Sequence, residues 1–187
     1  MPISQPIAVH SLGSHLPRGA YILRIDLSRP NKLSFGRFKG GKRVELNAGS
    51  YLYIGSTSLA HRVRRRTRRS GSRPTHRIDT ALVQHLHNIA LLPTPAAALT
   101  LKNLHWNVDY LLDLPTATLT AIYLLHSTAN IEKPLAGFFS RAREATVFER
   151  RLGANDAPGH THLLYISADS EWWRSLNYRL STEFYEE

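Results

Sequence analysis

The chain has 187 residues, 42% of them hydrophobic, with 24 Lys or Arg against 14 Asp or Glu and a formal charge of +10. It has no cysteine, which excludes disulfides, zinc–thiolate sites and a thiol nucleophile. No run of about 18 apolar residues indicates a membrane span, and the basic excess points to an anionic partner, with nucleic acid ahead of an anionic membrane surface.

Met1 to Arg18 is polar and proline-containing and is expected to be a tail or loose lead-in. It lacks the basic start and apolar core of a secretory signal, so an intracellular, cytoplasmic protein is expected. Gly19 to Leu27 (GAYILRIDL) is rich in β-formers, with Tyr21, Leu23, Ile25 and Leu27 on one face of a strand. Lys32–Phe38 and Lys42–Leu46 read as two short strands joined at Gly40-Gly41, a hairpin signal. Asn47-Ala48-Gly49 turns the chain into another strand, in which Tyr51, Leu52, Tyr53 and Ile54 run up to Gly55.

A Ser/Thr cluster at Ser56–Ser58 then offers a helix cap, because a side-chain oxygen accepts a free N–H of a first turn. Leu59 and Val63 give the expected helix an apolar edge, and Arg62, Arg66 and Arg69 fall along a neighbouring face. Eight arginines lie from Arg62 through Arg77: Arg62, Arg64, Arg65, Arg66, Arg68, Arg69, Arg73 and Arg77. Clustering of this kind is the footprint of a phosphate-binding face, and arginine at a helix start suits a phosphate. The bland alternative is a solvated basic surface.

Ser70–Pro74 breaks the pattern, and helical spacing resumes at His76–Leu92 and again at Leu104–Leu114. Leu119–Leu125 is apolar without alternation, as expected of a strand buried on both faces. Asn130 to about Arg143 is a helix candidate that tolerates Pro134 if it lies in the first turn. His162–Ile166 reads as a last strand. The aromatic tail, Ala168 to Glu187, is expected to pack as a helix or dock a partner. The histidines His76, His85, His87 and His105 do not form a metal-ligand spacing.

Gly19-Ala20-Tyr21 followed by Tyr53-Ile54-Gly55 resembles the paired signature of the GIY-YIG nucleases. The run from Gly19 to Ile166 resembles the Uri-type subfamily more closely. Its G-x-Y-x-Y-[VI]-G-S element is matched by Gly49–Ser56 and its W-H-I-D-Y-L-L segment by Trp106–Leu112. Glu132–Ala136 matches E-x-x-L-A, and Thr161–Tyr165 matches S-H-L-F-Y. The chain departs from the subfamily at Asn107, which stands in place of histidine. It departs again at Ala157–His160, which replaces a cysteine-bearing loop.

The resemblance implies an α+β fold, in which a small, mainly antiparallel sheet with a three-stranded core and an added β-hairpin is flanked by helices. It implies a nuclease domain over 19–167 with an insertion at 73–103, between a 1–18 tail and a 168–187 tail or docking helix. Tyr21 and Tyr53 would then meet on neighbouring strands, Arg62 would contact the scissile phosphate, and Glu132 would hold one Mg2+ or Mn2+. Glu149, which also begins an E-x-x-L run, is the runner-up to Glu132.

Phosphodiester hydrolysis suits these residue types, since a metal held by few carboxylates keeps water ligands free and arginine neutralises charge on the phosphoryl oxygens. A tyrosine, with an ordinary pKa of about 10, serves as base only if nearby cations lower it, and either Tyr21 or Tyr53 can fill that place. The expected activity is a metal-dependent endonuclease acting on DNA or RNA with no small-molecule cofactor. Arg64, Arg65, Arg66, Arg68, Arg69, Arg73 and Arg77 would carry nucleic-acid binding. The alternative is a module that keeps the fold and basic face without turnover.

Overall fold

In the computed structural model the described residues are 7–16, 18–56, 107–150, 152 and 161–186. Alternation along one segment decides the centre of the fold. β2, which spans Gly19–Leu27, puts Tyr21, Leu23, Ile25 and Leu27 into one buried cluster and Ala20 and Ile22 into another. A strand apolar on both faces must be covered on both faces, because successive side chains point to opposite sides. β2 accordingly runs antiparallel to β5 (Gly49–Ser56) on one side and to β6 (Ala117–His126) on the other.

The non-alternating apolar run in β6 has the same explanation. Leu119, Ile122 and Leu124 join the first cluster, while Ala121, Tyr123 and Leu125 join the second. Outside β5 lie β8 (Leu163–Ile166) and the two-residue β7 (Ala145–Thr146). Outside β6 lies β1 (Ala8–Leu12), the one parallel neighbour in a six-stranded sheet ordered β1-β6-β2-β5-β8-β7.

The expected hairpin forms a separate two-stranded sheet of β3 (Asn31–Ser34) and β4 (Arg43–Leu46). Its turn carries Gly40 and Gly41 at φ 68° and 81°, a region glycine enters without a Cβ clash. Phe35, Val44 and Leu46 bring the hairpin onto the first face of the large sheet, beside Val108, Leu111 and Leu112 of α1 (Asn107–Leu112). Two helices cover the second face. α2 (Glu132–Ser140) contributes Leu135, Ala136 and Phe139, and α3 (Ser170–Tyr185) contributes Trp172, Leu176 and Leu180. Pro134 is the third residue of α2, inside the first turn as the helix requires.

The class is therefore α+β, a mainly antiparallel sheet with a hairpin beside it and three helices among the described residues. Its centre is the antiparallel trio β6-β2-β5. One expectation is corrected. The stretch read as a loose lead-in contains β1, which buries Leu12 in the second cluster. For the aromatic tail, expected either to pack as a helix or to dock a partner, the structure has a packed helix, capped by Asp169, whose Oδ1 accepts from Trp172 N at 2.8 Å. No helix among the described residues is long and apolar enough to cross a membrane.

Candidate active site

The antiparallel register of β2 and β5 sets Tyr21 opposite Gly55 and Leu23 opposite Tyr53. Tyr21 and Tyr53 are thus diagonal neighbours on the first face, with ring centroids 6.2 Å apart and planes tilted by 46°. Gly55 is a requirement of space. A Cβ there would sit 2.5 Å from the Tyr21 hydroxyl oxygen and 2.8 Å from Cε1, so the ring lies across the bare glycine backbone. Both tyrosines are almost fully buried, at 1% and 4% exposure.

Glu132 opens α2, where a carboxylate is favoured by the free N–H groups of a first turn. Its backbone N–H donates to Asn130 Oδ1 at 3.3 Å. Its Oε1 lies 3.1 Å from His162 Nδ1, with the Glu132 side chain about one-fifth exposed and the imidazole buried. His162 is held at both backbone groups. Its N–H donates to Leu152 O at 3.2 Å, and its carbonyl accepts from Ile54 N at 2.8 Å. Its Nε2 is buried without a hydrogen-bond partner among the described residues, an arrangement that costs about 1–3 kcal/mol against an apolar replacement.

All these groups lie at one end of the sheet. β5 ends at Ser56 opposite Ala20, β6 ends at His126 opposite Gly19, and His162 precedes β8. The tyrosine rings belong to the first-face core, whereas α2 packs on the second face. The structure thus brings Tyr21 and Tyr53 together and brings Glu132 to the same end of the sheet from the opposite side. Arg62 lies outside the described residues, as do Arg64, Arg65, Arg66, Arg68, Arg69, Arg73, Arg77 and the segment 73–103 expected as an insertion.

The family described as Domain of unknown function DUF123 matches residues 20–182. The chain belongs to this family. No curated protein matches it, and no solved structure does. The DUF123 match runs from the second residue of β2 through β8 and most of α3, leaving β1 outside, so both tyrosines, Glu132 and His162 fall within the family's domain.

In this DUF123 domain the second glutamate is already engaged. Glu149 is bound by Lys39 Nζ and by Lys42 Nζ, the latter at 3.0 Å. Hydrogen bonds from Lys39 and then Lys42 hold its carboxyl below the ordinary carboxylate value. Two ammonium groups on one carboxylate satisfy its charge and tie the β3–β4 turn to the chain after β7. The described side-chain contact of the Glu132 carboxylate is with the His162 imidazole.

No cluster of three or more His, Cys, Asp or Glu side chains stands ready for a metal among the described residues. A single partly exposed carboxylate does not fit a closed structural site. It does fit Mg2+ or Mn2+, for which one or two carboxylates with water and substrate phosphate suffice. In the sequence His162 is only one position of the Thr161–Tyr165 match, with no role of its own. Its signal was weak: a histidine opening a strand, whose partner Glu132 comes from a different element.

Proposed function

We propose that this DUF123 domain is a GIY-YIG nuclease of the Uri type, a divalent-metal-dependent endonuclease that hydrolyses phosphodiester bonds in DNA or RNA. The observation that carries the reading is the pairing of the two signature halves. Gly19-Ala20-Tyr21 and Tyr53-Ile54-Gly55 are adjacent antiparallel segments in which Tyr21 packs over Gly55 and beside Tyr53. Core packing alone can pair these strands, but the pairing sets the two signature halves side by side as the resemblance requires, and that supports the reading.

Water attacks phosphorus, the P–O bond to the leaving oxygen breaks, and the proton taken from water is returned to the leaving oxygen. Tyr21 or Tyr53, first deprotonated to the phenolate by loss of its proton to solvent beside the arginine and metal charges, takes up the proton from water and returns to the phenol. Arg62 neutralises charge on the phosphoryl oxygens. Glu132 would hold Mg2+ or Mn2+, and the ion would supply Lewis-acid stabilisation of the phosphate and a more acidic water. Arg64, Arg65, Arg66, Arg68, Arg69, Arg73 and Arg77 hold the backbone of the nucleic acid, and their recognition is of charge and shape rather than base sequence.

Near-complete burial of both tyrosines, with α2 on the other face of the sheet, favours a second reading: a nucleic-acid-binding module without turnover. The two are separated by incubating labelled single-stranded, duplex and branched DNA, and RNA, with the protein. Magnesium, manganese and chelator are compared. The nuclease reading predicts cutting with metal and none with chelator. Salt-sensitive binding without cutting in any condition would replace it with the second reading.

A further inference from the structure

We infer that His162 is a positioning residue that holds the Glu132 carboxylate in its metal-binding orientation, an inference that rests on the metal role proposed for Glu132. The imidazole is buried, at 3% exposure, and among the described contacts the ring's one polar partner is Glu132 Oε1, 3.1 Å from Nδ1. Its Nε2 faces no donor or acceptor among the described residues. Packing alone would be served better by an apolar side chain, which buries the same volume without a bare ring nitrogen.

The tautomer with hydrogen on Nδ1 donates to Oε1 and so fixes the direction in which the carboxylate presents itself. Because Nε2 is sealed from solvent, the ring is not a proton shuttle or a direct ligand at an open site. Its value is orientation, as with the outer hydrogen bonds that fix ligating groups in metal sites generally.

The backbone supports this role. Ile54 N donates to the His162 carbonyl and His162 N donates to Leu152 O, so the residue is pinned between β5 and a buried leucine. Leu152 N in turn donates to the carbonyl of Glu149, whose side chain is clamped by Lys39 and Lys42. The imidazole therefore stands on a fixed base and reaches across to the start of α2. There it narrows the rotamers open to Glu132, a long side chain that is one-fifth exposed.

The test is Mn2+ affinity of the full chain, read by electron paramagnetic resonance, for wild type, Glu132→Gln, His162→Asn and His162→Gln. Thermal melts of each accompany it. Asparagine places an N–H donor where Nδ1 stands, and glutamine places it where Nε2 stands. Wild type binds, Glu132→Gln does not, His162→Asn stays close to wild type, and His162→Gln weakens binding by about 10–100-fold. Equal affinity for His162→Asn, His162→Gln and wild type overturns the positioning role while leaving Glu132 as the ligand. Wild type that binds no Mn2+ overturns the metal reading and this inference with it.

If neither histidine variant melts cooperatively, nitrogen NMR of wild type decides. Hydrogen on Nδ1 and a shift of its resonance on adding Mg2+ support the inference. Hydrogen on Nε2 with a bare Nδ1 overturns it.

Discussion

Gly55 shows how a single residue can carry two signals. In the sequence it reads as the stop of an apolar run; in the fold the strand continues to Ser56, and the glycine is there because the Tyr21 ring lies on it. That reason depends on a cross-strand neighbour and cannot be read from local pattern. Gly55→Ala is expected to lower stability by about 1–3 kcal/mol, as overpacking does when a ring is forced out of place. A urea melt of the variant against wild type checks it, and an unchanged midpoint contradicts the close approach. Glu132 and Glu149 make the same point. Both begin E-x-x-L, and only the tertiary placement of Lys39 and Lys42 separates a carboxylate clamped by two lysines from one opening a helix.

At the level of elements, legibility followed periodicity. β2 and β5 were readable from their strand-forming residues ended by turn signals, β6 from an unbroken apolar run that marks a strand buried on both faces, and α2 because Pro134 could be reconciled with a first turn. β1 was not. AVHSL has no clean alternation, and it becomes a strand by lying parallel on the edge of β6, where His10 stacks on Tyr123 at 4.7 Å and receives Asn177 Nδ2 at 2.8 Å. Strand preference of that kind comes from neighbours more than from intrinsic propensity. For α3 the sequence allows either a docking tail or a packed helix. The structure packs it, with Leu176 and Leu180 fully buried and the Arg24 guanidinium 3.8 Å above the Trp173 ring. Two substitutions test that packing by thermal melts. Asp169→Ala, which removes the cap from Trp172 N, is expected to cost about 0.5–2 kcal/mol. Leu176→Ala is expected to cost about 2–5 kcal/mol. A cost near zero for Leu176→Ala would mean α3 is not part of the core.

For the whole molecule, charge and burial make two opposed demands. Burial lowers the pKa of His10 and His126 from 6.5; at His126 it outweighs the Leu16 carbonyl, which raises it, and is joined by the charge of His15. The unfolded chain therefore binds protons at these sites at a pH where the folded chain does not. Their contribution to stability is fully present above pH 6.5 and is lost as pH falls through the lowered folded values. The melting temperature is expected to fall on acidification below 6.5, less steeply in His126→Gln, and a slope unchanged by that substitution would contradict the assignment. The net charge of +10 bears on the nucleic-acid binding proposed above. Binding to duplex DNA should weaken with salt, and replacing Arg64, Arg65 and Arg66 by glutamine should flatten the log–log slope by about 0.9 for each phosphate no longer neutralised. A slope unchanged by the triple replacement would move the binding surface elsewhere. The proposed nuclease turns over at the paired signature strands with Glu132 as the metal ligand. Its most direct test compares metal-dependent cleavage by wild type and Glu132→Gln, with binding measured on the same substrate. Glutamine keeps an oxygen for His162 and removes the charge. Wild type is expected to cut with Mg2+ or Mn2+, and the variant to lose cutting while keeping binding; cutting that survives in Glu132→Gln, or wild type that binds and never cuts, would rule out the nuclease with Glu132 as its metal ligand.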